Sequence, residues 1–163
     1  LSKLQGEEIV KNLNIKWCII RTSLVFGTSF KPVKSNIVIA IRNKLRQNET
    51  IKIVYDQFRT PTFNKDIAAA VFKLVENETT GVFHIAGGEY MSILEIAWRV
   101  CDFWKLPKRN IKPVSTHELN QPAPRPPSSG LIIDKARKLI GYEPTPFLDA
   151  LKNLAIEENY ITE

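Results

Sequence analysis

The stretch KWCIIRTSLVFG, from Lys16 to Gly27, carries the reading of the fold. Trp17, Cys18, Ile19 and Ile20 form a short apolar run that Arg21, Thr22 and Ser23 break off, so it reads as a buried strand with a polar end. In open α/β sheets, ligands sit just beyond the carboxyl ends of parallel strands. A strand that ends in hydroxyls before a turn glycine, Gly27, stands where a ligand would be touched. A core strand followed by an ordinary loop accounts for the same residues without a ligand.

Working outward, SKLQGEEIVKNL (2–13) reads as a helix, with Ser2 as a cap and Leu4, Ile9 and Leu13 as a partial apolar stripe. Helix then strand is the second half of a βαβ unit, whose first strand is expected upstream in a longer polypeptide. On the other side a loop, TSFKPVKSN, leads to a helix with Ile37, Val38, Ile41 and Leu45 inward and Arg42, Lys44 and Arg46 as its wet side. A short strand at Ile51, Ile53 and Val54 opens into YDQFRTPT (55–62), where Asp56, Gln57, Arg59 and Thr60 crowd between apolar elements and Pro61 keeps the preceding backbone extended. Donor-rich rigid loops often carry function, although a solvated connector has the same composition.

The next helix is expected to start at Asn64, with Asp66 near its positive end and Ile67, Val71, Leu74 and Val75 buried. A strand over Val82 to Ala86 ends at Gly87 and Gly88. His84 within it has no second ligand at metal spacing and reads as a packed, hydrogen-bonded histidine. Ser92 and Glu95 form a capping box for a helix with Ile96, Val100 and Phe103 inward and Trp98 and Trp104 beside it. The proline-rich segment from Pro107 to Gly130 contains a candidate edge strand at Ile111 to Val114 and the extended run QPAPRPPSSG. That run suits a linker or a polyproline-type partner motif, and Arg125 in its rigid frame could equally reach a phosphate. A helix from Asp134 to Ile140 closes at Gly141, and Pro146 starts a last one buried by Phe147, Leu151 and Leu154.

Composition bounds the function. The 163 residues suit one domain, 44% hydrophobic content is enough for a core, and no run reaches a membrane span, so a cytoplasmic protein is expected. Cys18 and Cys101 are read as buried thiols, with no metal expected. The net charge of +6 is scattered over helix surfaces rather than gathered with aromatics, which argues against nucleic acid and favours a small anionic ligand.

Taken in order, SKLQGE, RTSLVFG, DQFRTPT, GVFHIAGG and APRPPSSGLIIDKARKLIGYEP resemble the extended short-chain dehydrogenases/reductases, and the dTDP-4-dehydrorhamnose reductase family most closely. The resemblance runs from residue 1 to about 155 and matches only the C-terminal part of such an enzyme. It implies an α/β fold: the last parallel strands and helices of a Rossmann-like NAD(P)-binding domain plus a small α+β substrate-binding domain. Residues 1–30 would close the dinucleotide-binding domain and 31–163 would form the substrate-binding portion, with 64–86 packing back on the nucleotide-binding sheet.

The resemblance also implies roles. Lys3 would be the active-site lysine, acidifying a tyrosine four positions earlier and holding the nicotinamide ribose of NADP or NAD; that tyrosine and the glycine-rich loop fall outside these residues. Thr22 and Ser23 would border the cofactor; Ser23, Leu24, Val25, Arg59, Pro61 and Arg125 would border a sugar-nucleotide substrate. Leu24 stands where the rhamnose-forming enzymes commonly carry tryptophan, and Arg59 replaces a frequent glycine, so the sugar stays open. The implied activity is reduction of a 4-keto sugar nucleotide by a longer protein, this chain alone being inert. The alternative is a non-catalytic subunit resembling the regulatory subunit of methionine adenosyltransferase. The missing N-terminal half of the fold is an expected partner, and homodimer formation stays open.

Overall fold

The structure, a computed structural model, describes residues 2–28, 36–119, 123 and 125–161, with side chains to residue 158. Most of the loop TSFKPVKSN and part of the proline-rich run therefore lie outside the described residues. The chain is mixed α/β with several parallel strand pairs, as expected from alternating helical and strand patterns. Helix α1 (Ser2–Lys11) leads to β1 (Cys18–Arg21), which pairs in parallel with β6 (Gly81–His84), Arg21 opposite His84. Helix α3 (Asn64–Glu76) runs directly into β6 and supplies the helical part of that crossover. Beyond β1, β2 (Val25–Phe26) pairs in parallel with β5 (Thr62–Phe63), and β3 (Ile51–Val54) with β8 (Ile111–Val114). A three-stranded sheet has β4 (Phe58–Arg59) between antiparallel β7 (Met91–Ser92) and parallel β9 (Ser128–Ser129).

Two hydrophobic clusters form the core. One joins α2 (Ile37–Arg46), α4 (Ile93–Trp104) and α6 (Phe147–Ile161) around Phe26, Val38, Leu45, Ile96, Val100 and Leu151. The other joins α3 and α5 (Asp134–Ile140) to β6 through Ala70, Leu74, Phe83, Ala136 and Ile140. Gly141 ends α5 in the left-handed conformation (φ 56°), as its place after the last apolar residue implies.

Several expectations need correction. The β1 run is not buried: Cys18 is exposed and Ile19 and Ile20 are half-buried, because β6 is its one strand partner among the described residues. Helix α1 buries nothing, and Leu4, Ile9 and Leu13 are exposed. Val71 and Val75 of α3 are exposed too, its buried face being Asp66, Ala70 and Leu74. Asn64 is the first residue of α3 rather than its cap, and its Nδ2 donates to Thr28 O. Asp66 accepts hydrogen bonds from Thr145 N and Oγ1 at 2.9 and 2.6 Å. Arg42 is buried, not wet: it forks onto Glu158 of α6 and lies 5.1 Å from the Trp104 ring. Cys101, the Ser92 cap and the strand Ile111–Val114 stand as expected.

Candidate functional site at the strand ends

The carboxyl ends of β1 and β6 lie side by side, and Thr62 joins the loops that leave them. Its fully buried hydroxyl donates to Ser23 O at 2.6 Å and accepts from Gly87 N at 3.3 Å. A Cβ on Gly87 would fall 1.9 Å from Pro61 O, so only glycine lets these two loops meet. Ser23 Oγ donates to Ser129 O at 3.2 Å, which brings β9 to the same place. Sequence reasoning did not single out Thr62. Its position inside a donor-rich loop between two strands was the available signal.

Leu24 takes a left-handed conformation (φ 45°), uncommon for a side chain of its size, and packs against the larger core. Its carbonyl accepts from Thr62 N, so the turn runs directly into the pairing of β2 with β5. Val25 and Thr22 are exposed, and Pro61 is buried. His84 donates from Nδ1 to Ile132 O, the hydrogen-bonded state expected of it.

Lys3 is exposed on α1. One helical turn later, Glu7 takes a two-pronged ion pair from Arg21, the last residue of β1, at 2.9 and 2.6 Å. This pairing holds the Glu7 carboxyl below its usual pKa range. An i, i+4 step puts Lys3 on the same helix face as Glu7, about 6 Å along the axis.

The loop 55–62 is not a solvated connector. Gln57, Arg59 and Thr60 are buried. Asp56 accepts from Thr116 N and Oγ1, bonds that lower its carboxyl pKa. Gln57 donates to Thr116 Oγ1, and the Arg59 guanidinium donates to Gln57 Oε1 and to the carbonyls of Phe58, Pro126 and Pro127. Arg125, next in the chain to Pro126, is exposed. A cleft of about 360 Å³ is lined by Thr60, Gly87, Gly88, Tyr90, Ser128 and Arg137. Thr60 Oγ1 is buried there without a hydrogen-bond partner among the described residues. The Tyr90 ring stacks on Phe58 at 5.5 Å, and its hydroxyl donates to Ser128.

With this geometry in place, comparison with known proteins is direct. Residues 1–159 match the family described as the RmlD substrate binding domain. The chain belongs to that family. Among relatives, methionine adenosyltransferase 2 subunit beta of Xenopus laevis is 29% identical over 151 residues, covering 90% of this chain and 45% of its own length. Spore coat polysaccharide biosynthesis protein SpsK of Bacillus subtilis is 30% identical over 158 residues, covering 97% of this chain and 53% of its own. The crystal structure of dTDP-4-dehydrorhamnose reductase from Bacillus anthracis, in complex with NADP, superposes with a TM-score of 0.85 at 29% identity, covering 96% of this chain and 54% of that one. This RmlD-type chain thus spans about half the length of the relatives it matches.

Proposed function

We propose that the chain is the substrate-side portion of an NAD(P)H-dependent reductase acting on a 4-keto sugar nucleotide. The observation that carries this reading is the meeting of Ser23, Thr62, Gly87 and Ser129 beyond the ends of β1 and β6. Arg59 and Arg125 add positive charge beside it, and Lys3 stands exposed on α1, one helical turn before the Glu7 that pairs with Arg21 at the end of β1. In this reading residues 1–30 and 64–86 belong to the nucleotide-binding sheet, and the remainder frames the sugar and its diphosphate.

The residues present suit a dinucleotide and a diphosphate: an exposed ammonium at Lys3, an exposed Thr22, a strand-end Ser23 and an exposed guanidinium at Arg125. A bound nicotinamide supplies the hydride to the carbonyl carbon. Lys3 stabilises the phenolate of the family's tyrosine, which lowers that phenol from its ordinary value of about 10 and lets it deliver a proton to the carbonyl oxygen near neutrality. Ser23 orients the substrate from the strand end, while Leu24, Val25 and Pro61 shape the wall. Arg125 grips the diphosphate with its planar fork, and Arg59 stands behind it.

The exposed apolar residues Leu4 and Ile9 on α1 and Leu13 just after it, with Val71, Phe72 and Val75 on α3, fit cover by the N-terminal half of the same fold, a second copy being the competing occupant. The similarity to methionine adenosyltransferase 2 subunit beta favours a second reading, in which the protein binds a dinucleotide or nucleotide sugar and turns nothing over.

The full-length protein separates the two. In the enzyme, Lys3→Met lowers NAD(P)H oxidation with a 4-keto sugar nucleotide by about 10²–10⁴-fold, the usual worth of acid–base assistance. Binding without turnover in the unsubstituted protein selects the regulatory reading. Arg125→Ala weakens nucleotide-sugar binding by about 1.5–3 kcal/mol in either case, and unchanged affinity removes Arg125 from the site.

A further inference from the structure

The guanidinium of Arg59 does not face outward. The residue is 8% exposed, and its terminal nitrogens donate to Gln57 Oε1 (3.1 Å), Phe58 O (2.7 Å), Pro126 O (2.9 Å) and Pro127 O (3.3 Å). Pro126 and Pro127 have no N–H, so this piece of chain can be held only through its carbonyls, by donors that another segment supplies. β4 supplies them: the Phe58 amide donates to Pro127 O at 2.7 Å, and the Arg59 side chain takes the rest. The residue immediately before this pinned pair is Arg125.

We infer that Arg59 is a positioning residue: through the carbonyls of Pro126 and Pro127 it sets the exposed Arg125 to receive a nucleoside diphosphate, and it does not touch the phosphates. This rests on the reading of Arg125 given above and deepens it.

The charges agree with that role. Among the described residues no carboxylate pairs with Arg59. Burial and then the nearby Arg125 push its pKa down, although a guanidinium stays charged. Two cations held close without a counter-ion make a field that favours an anion, and Arg125 is the exposed member of the pair. The brace is anchored in turn, because Gln57 donates to Thr116 Oγ1, which donates to Asp56.

Lysine keeps the charge at position 59, but one ammonium cannot reach four acceptors spread over three main-chain carbonyls and an amide. Charge-only participation would therefore survive Arg59→Lys, and bracing would not. The test titrates this chain with thymidine diphosphate in four forms: unsubstituted, Arg59→Lys, Arg125→Ala and the double variant. Amide hydrogen exchange at Phe58, Ser128 and Ser129 is followed in each. The expected result is at least tenfold weaker binding in Arg59→Lys, tenfold faster exchange at those amides, and no further loss of affinity when Arg59→Lys is added to Arg125→Ala.

Additive losses would make Arg59 a direct phosphate ligand and overturn the inference; so would unchanged exchange. If Arg125→Ala binds thymidine diphosphate as well as the unsubstituted chain, or if that chain does not bind it, the reading of Arg125 fails. The bracing of the proline pair is then decided by exchange alone. If Arg59→Lys does not fold, Gln57→Leu, which removes one acceptor of the guanidinium, must speed the same amides to a smaller degree; no change there contradicts the brace.

Discussion

Thr62 has one proton and serves three segments. Its hydroxyl ties the carbonyl after β1 to the amide after β6, from the first residue of β5, between β4 and α3. Thr62→Val keeps the volume but leaves Ser23 O and Gly87 N without this partner, so unfolding stability should fall by about 1–3 kcal/mol, with Thr62→Ser recovering most of it. Chemical denaturation of the three forms checks this, and equal stability of the valine variant would show that the hydroxyl is not the tie. Residue identity alone could not select Thr62 over Thr60, because its partners lie 39 and 25 positions away. Arg42 misled for the same reason. Three positions from Leu45 it sits at the margin of an apolar stripe, and only the return of α6 brings Glu158 and Trp104 to it.

Elements whose pattern repeats within ten or so residues were legible. α2, α4 and α6 bury the apolar positions that helical spacing selects, and Ser92 caps α4 as its position before Glu95 implies. Helix α1 and strand β1 have the same kind of apolar residues, yet these stay exposed or half-covered, since pattern specifies a face and not what covers it. The loop 55–62 was legible as a place of interest but not as a buried one. Its Asp56, Gln57 and Arg59 find their partners in Thr116 and the proline pair, some 60 residues on.

Acid should loosen that loop. Hydrogen bonds from Thr116 depress the Asp56 carboxyl below its ordinary value of 3.8. A depressed acid contributes its full stabilisation above the unfolded-state pKa and loses it as pH falls through the folded one. The protection factor of the Thr116 amide, its exchange rate corrected for the intrinsic pH dependence, should therefore hold steady from neutrality down to about pH 5 and fall below about pH 4. Asp56→Asn should flatten this profile; a wild-type profile that is already flat would contradict the assignment.

At the scale of the molecule, two hydrophobic clusters share one set of loops, and the candidate site lies where those loops meet. Phe26 belongs to the larger cluster and touches Phe63 (centroids 5.7 Å) and Phe147 (5.3 Å), linking β2, β5 and α6. Phe26→Ala should cost about 3–5 kcal/mol and lower the thermal midpoint accordingly. A loss under about 1 kcal/mol would mean that the ring is not in a filled core. The α/β class and its parallel pairs followed from the alternation of patterns, and the family resemblance, read to about residue 155, falls within the RmlD substrate binding domain match over residues 1–159. The roles of Lys3, Ser23 and Arg125 rest on chemistry, and ligand binding decides them.

The most direct measurement is an amide NMR titration of this chain with thymidine diphosphate. If the strand ends and Arg125 border one hollow for a sugar diphosphate, the amides of Ser23, Thr60, Thr62, Gly87, Ser128 and Gly130 shift together along one saturation curve. Shifts confined to the groove between α4 and α6, lined by Arg99, Phe103 and Lys152, or no shifts at millimolar ligand, would contradict it.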